Sequence, residues 1–111
     1  MKRAFFWAVV ILFSAIGQAS QVSEAKIKRL MMDDSLPSKV YIELSAMQSD
    51  RISCHENESW NYVLDLQSTS AREFYSMLLT MHASGRAGLF KGTGTCSKHP
   101  DIETLKRVEF F

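Results

Sequence analysis

The chain has 111 residues, 46% of them hydrophobic and 23% charged, with a formal net charge of +1. That length holds one domain around one core, and the balance of apolar and charged residues excludes a disordered tail or a fibrous repeat. No basic cluster or acidic block is present, so the charge pattern excludes long-range electrostatic recognition and no nucleic-acid partner is expected.

The first residues read as an export leader. Met1, Lys2 and Arg3 are a short positive start, residues 4–16 (AFFWAVVILFSAI) are apolar apart from Ser14, and Gly17-Gln18-Ala19 supplies the small residues of a cleavage site. The apolar run is shorter than the roughly 20 residues that cross a bilayer as a helix, which disfavours the rival reading of an uncleaved anchor. The expected organisation is a signal peptide over 1–19 and a single domain over 20–111, secreted or periplasmic, with no membrane insertion after cleavage. Loss of Lys2 and Arg3 leaves 11 basic against 12 acidic side chains, a net charge of −1.

A domain this small gains from a cross-link, and export places its two cysteines, Cys54 and Cys96, in an oxidising compartment. A Cys54–Cys96 disulfide is the default reading.

Along the exported part, residues 20–25 read as a flexible lead-in. Residues 26–32 (KIKRLMM) read as a strand, because the turn formers at 33–38 (DDSLPS) join them to residues 39–44 (KVYIEL). In KVYIEL, Val40, Ile42 and Leu44 alternate with Tyr41 and Glu43, the pattern of a half-buried strand. Residues 45–59 are polar and aperiodic, a long loop pinned by Cys54. Residues 60–66 (WNYVLDL) alternate again, which predicts a strand with Trp60, Tyr62, Leu64 and Leu66 inward.

Ser70-Ala71-Arg72-Glu73 has the form of a capping box. It opens a helix that runs to about Ser84, where Gly85 suits the left-handed residue closing it. Residues 86–93 and 105–111 read as the last two strands, the second with Val108 and Phe110 on one face. The order β-β-β-α-β-β is that of an α+β, mostly β protein. It matches a five-stranded OB-fold-like barrel with one helix between strands 3 and 4.

On the helix, Phe74, Met77, Leu78 and Met81 form one apolar stripe, and Tyr75, Leu79 and His82 widen it. The arc spans about 200°, where a surface helix needs little more than 100°. A one-helix domain offers little to bury so wide an arc. Tyr75, Leu79 and His82 are therefore the candidate interface of a homo-oligomer, unless Tyr75 and His82 simply lie flat on the barrel rim.

The segment YSMLLTMHASGR (75–86), followed by a strand and by Gly92-Thr93-Gly94-Thr95-Cys96, resembles the helix–glycine–strand region of the subtilase cytotoxin B subunit and its small secreted relatives. The leader, the early cysteine before the central strand and the late cysteine after the post-helix strand share that layout. The likeness is best over residues 60–96. It implies an OB-fold B subunit that assembles as a pentameric ring and binds cell-surface sialylated glycans, with catalysis in a separate subunit.

Other constellations carry less. Cys54-His55 with Cys96-x-x-His99 has zinc-ligand chemistry, but adjacent Cys-His is poor spacing and export oxidises the thiols. No metal or cofactor is expected. His55, Glu56, His82 and His99 hold the ingredients of a ribonuclease without a motif that aligns them. No serine sits in a nucleophile elbow, and Gly88, Gly92 and Gly94 are turn and bulge glycines rather than a phosphate loop. Asn57-Glu58-Ser59 is a formal glycosylation sequon. The loop 45–59 with Trp60 beside it is the candidate ligand surface, since an aromatic face stacks on a sugar ring; the plainer reading has Trp60 capping the core. The expectation is a non-catalytic secreted binding and assembly module. A small secreted hydrolase such as a ribonuclease, or a periplasmic accessory or inhibitor protein, is the alternative.

Overall fold

The computed structural model describes residues 19–110. Of the expected leader only Ala19 falls within that range; the rest of it, like Phe111, lies outside the described residues. The described chain is mostly β with one helix. The elements are β1 (Gln21–Ala25), β2 (Ile27–Asp33), β3 (Leu36–Leu44), β4 (Tyr62–Asp65), α1 (Ala71–Ser84), β5 (Gly88–Gly92) and β6 (Leu105–Phe110). They form two three-stranded antiparallel sheets, β1-β5-β6 and β2-β3-β4. The ladders do not close into one barrel. The sheets meet where Lys26 alone separates β1 from β2, and at one parallel bridge between Val63 and Thr104.

β1 replaces the expected flexible lead-in. Its two buried residues, Val22 and Ala25, sit three apart because the register against β5 slips between them. That irregularity hides the two-residue period by which a strand is read. β2 and β3 form the expected hairpin, with Asp33 opposite Leu36. The Asp33 carboxylate closes the turn, accepting from the Ser35 N–H at 2.9 Å and from its hydroxyl at 2.7 Å, and these bonds hold its pKa below the ordinary carboxylate value.

The main core lies between the sheets and the helix, built from residues such as Val40, Ile42, Tyr62, Leu64, Leu78 and Phe90. Each large apolar side chain taken from water there contributes about 1.5–3 kcal/mol. A second, smaller cluster of Tyr41, Val63 and Ile102 lies apart from it, with Met31, Leu36 and Trp60 packed against it. The expected outward face of β3 is thus covered at Tyr41, which is 1% exposed. Alternation along β3 could not report this, because the cover comes from Ile102 at the far end of the chain. β4 is also shorter than expected. Tyr62 and Leu64 face the main core as read, but Trp60 precedes the strand and packs on the smaller cluster instead.

α1 has the predicted ends. Gly85 takes φ 66° and its N–H reaches the Met81 carbonyl. The capping box does not form: Ser70, at φ −104° and ψ 19°, makes no side-chain cap bond. Its backbone is outside the extended region from which a cap hydroxyl reaches forward. Ala71, Leu78 and Met81 are the buried helix residues. Gly88 lets β6 approach closely, since a Cβ there would lie 2.3 Å from the Glu109 carbonyl oxygen.

Candidate functional site

Three places carry the residues singled out in the sequence. The first is a shallow groove of about 330 Å³ between β2 and α1, lined by Leu30, Met31, Met32, Val40, Tyr75, Leu79 and His82. All three candidate interface residues line it. They differ in what the single chain already uses. Tyr75 packs in part against the main core, Leu79 is 44% exposed, and His82 is exposed but held by its Nδ1, 3.1 Å from the Ile27 carbonyl. Met32, on the strand side, is 54% exposed. The wide helix arc is therefore not sunk in the fold. Its outer half continues across β2 as one apolar strip, and β2's share of it is legible in sequence only as Leu30 and Met32 at strand spacing.

The second place surrounds Trp60. Its ring lies 5.9 Å from that of Tyr41, tilted by 58°, and the Arg29 guanidinium sits 4.1 Å from its centroid. Arg29 also bonds Glu43 at 3.0 Å. One face of the indole is thus occupied by a cation, which the sequence did not suggest because Arg29 and Trp60 lie on different elements. Beyond Tyr41, His99 packs edge-on to its ring at 5.5 Å, and His99 Nδ1 lies 2.8 Å from Asp101 Oδ1. Neither of those two atoms has an aligned hydrogen bond, nor does the buried Tyr41 hydroxyl. Burial, with Asp33 and Asp101 nearby, pushes the Tyr41 phenol above its ordinary pKa.

The third place is the loop between β3 and β4. Cys54 and Cys96 are bonded to each other, with Cα atoms 6.1 Å apart. The sulfurs are therefore not free thiolates, and the Cys54, His55, Cys96, His99 quartet is not a ligand set. Among the described residues no group of His, Cys, Asp or Glu is placed to hold a metal. Asn61 anchors the same loop from inside. Its Oδ1 accepts from the Leu44 N–H at 2.8 Å, and its Nδ2 donates to the Ala46 carbonyl at 2.8 Å and to Gln48 Oε1 at 2.9 Å. Asn57, the sequon residue, accepts at Oδ1 from the Ser59 and Trp60 N–H groups and donates from Nδ2 to Asp101 at 3.4 Å.

The ribonuclease ingredients do not converge. His55 is 4% exposed. Its Nδ1 accepts the Glu103 N–H and its Nε2 meets the Asn57 carbonyl, both at 3.0 Å. His82 is tied to β2 and His99 to Asp101. Three imidazoles held by three separate partners make no acid–base pair.

Beneath this loop lies a buried polar cluster that the sequence reading missed. Glu103 is fully buried, with its carboxylate against Ser20, Gly92 and Gly94. Glu103 sits in a polar stretch where any acidic residue reads as solvent-facing, so no local signal marks it.

No family model matches the sequence, and neither a curated protein nor a solved structure does.

Proposed function

We propose that this is an exported, non-catalytic binding and assembly module with an OB-fold-like barrel, which self-associates through the β2–α1 groove. The groove carries the reading: Leu79 and Met32 leave apolar surface in contact with solvent at one place, next to Tyr75 and His82, and such strips mark association surfaces. The barrel reading is supported by the strand pairings. β1 with β5, β5 with β6, β2 with β3 and β3 with β4, together with the Val63–Thr104 bridge and the single residue between β1 and β2, are the neighbours an OB-type barrel would have. By its resemblance to the toxin B subunits, the module forms a ring, presents the Trp60 region to a cell-surface glycan and serves a separate catalytic subunit.

Sedimentation of the exported protein tests the reading, alongside Leu79→Glu. A multimeric parent and a folded monomeric variant are the expected pair. A parent that is monomeric at every concentration tested overturns the assembly reading. On a sialylated glycan array, Trp60→Ala should lose binding that the parent retains.

A further inference from the structure

Glu103 lacks a visible counter-charge. Its carboxylate is fully buried, and no Lys, Arg or His among the described residues pairs with it. The nearest imidazole, His55, accepts the Glu103 backbone N–H and so is neutral at that nitrogen. A buried carboxylate is held most strongly when a cation as well as hydrogen bonds replaces the water it lost. The hydrogen bonds are present. Gly94 N–H donates to Oε2 at 2.9 Å, Ser20 N–H donates to Oε2 at 3.2 Å, and the Ser20 hydroxyl donates to Oε1.

Ser20 is itself held from every side. It is fully buried, its carbonyl accepts the Gly92 N–H at 3.0 Å, and its hydroxyl lies 3.0 Å from the Tyr62 hydroxyl. Gly92 is required for this packing, since a Cβ at that position would fall 1.9 Å from Glu103 Oε2. The Ser20–Gly92 bond continues the β1–β5 ladder, whereas the contact of Ser20 with the Glu103 carboxylate lies outside it. That contact becomes intelligible from the leader: the sequence places the cut between Ala19 and Ser20.

We propose that removal of residues 1–19 completes this site, the α-ammonium of Ser20 becoming the counter-ion of the buried Glu103 carboxylate. A leader peptidase hydrolyses the Ala19–Ser20 amide with one water. The Ala19 carbonyl carbon takes the hydroxyl, and the Ser20 nitrogen takes the hydrogen and one further proton from solvent. The atom that donates to Oε2 at 3.2 Å then carries a full positive charge, and the bond becomes a charge-assisted pair. The fold thereby distinguishes its own cut end from any other. The inference rests on the leader reading and is independent of the assembly reading.

The intact mass of the exported protein should correspond to a chain beginning at Ser20; any other start overturns the proposal. A variant carrying one glycine ahead of Ser20 moves the amine about 3.8 Å along the chain. Glu103→Gln should lower the melting temperature of the Ser20-initiated chain more than that of the extended chain, and an equal drop in both overturns the pairing. If Glu103→Gln does not fold, the unaltered protein supplies the test by amine labelling near neutral pH. The Ser20 amine should react about tenfold or more slowly in the native state than in denaturant. Equal rates would show that it is not buried against Glu103.

Discussion

His55 accepts a hydrogen bond from the backbone N–H of Glu103, 48 residues further along the chain, at 3.0 Å. An N–H can only donate, so Nδ1 carries no proton and the ring proton sits on Nε2, directed at the Asn57 carbonyl. Burial lowers the His55 pKa below its ordinary 6.5, because a charged ring would lose water and the Glu103 bond together. The imidazole thus ties the loop after β3 to the segment before β6, one residue from the disulfide.

Stability should therefore fall on mild acidification. Between the ordinary histidine pKa and the lower folded value, the unfolded chain binds a proton that the folded chain does not, so the folded state loses ground as pH drops through about 6.5. The His55 contribution is complete above about pH 7. Thermal melts from pH 8 to pH 5 should show the decline, and His55→Leu should flatten it while costing about 1–3 kcal/mol at pH 8 for the Glu103 N–H left without its acceptor. A slope unchanged in the variant would mean that another group titrates.

Thiol titration of the native protein should find no free thiol. The bond closes a separation of 42 residues, so replacing both cysteines by serine should destabilise the fold by about 3–4 kcal/mol in the chain-entropy model. Two titratable thiols in the native protein would contradict the bond.

Leu78 and Leu79 are neighbours on α1 with opposite roles. Leu78 is fully buried and Leu79 is 44% exposed. Leu78→Ala should cost about 2–5 kcal/mol through the cavity it leaves. Leu79→Ala, measured on the isolated monomer, should stay within about 0.5 kcal/mol. Chemical denaturation of the two variants compares them directly. A large loss at Leu79 in a monomer would place it in the core and remove it from the groove.

Asn61→Ala should destabilise by about 2–3 kcal/mol, because it strips the acceptor from the Leu44 N–H and two donors from the loop carbonyls inside a buried site. The loss should concentrate in the loop between β3 and β4. Hydrogen exchange should therefore speed up first at Leu44, and uniform acceleration over the whole chain would contradict the anchoring role.

Features that depend on neighbours along the chain can be read before folding. The C-terminal end of the helix is legible because Gly85 takes a conformation other residues avoid. The β2–β3 hairpin is legible because Asp33 and Ser35 close its turn locally, and the disulfide because two cysteines allow a single intramolecular pairing. Which faces are covered depends instead on contacts between distant segments. Tyr41 reads as outward on β3 and is buried by Ile102; Trp60 reads as inward and turns to Arg29 and Tyr41; β1 was hidden by a slip of register between Val22 and Ala25. Glu103 and Ser20 meet across 83 residues, a distance at which no periodicity carries information. Burial of a charge is a property of the whole packed chain, and a sequence window cannot contain it.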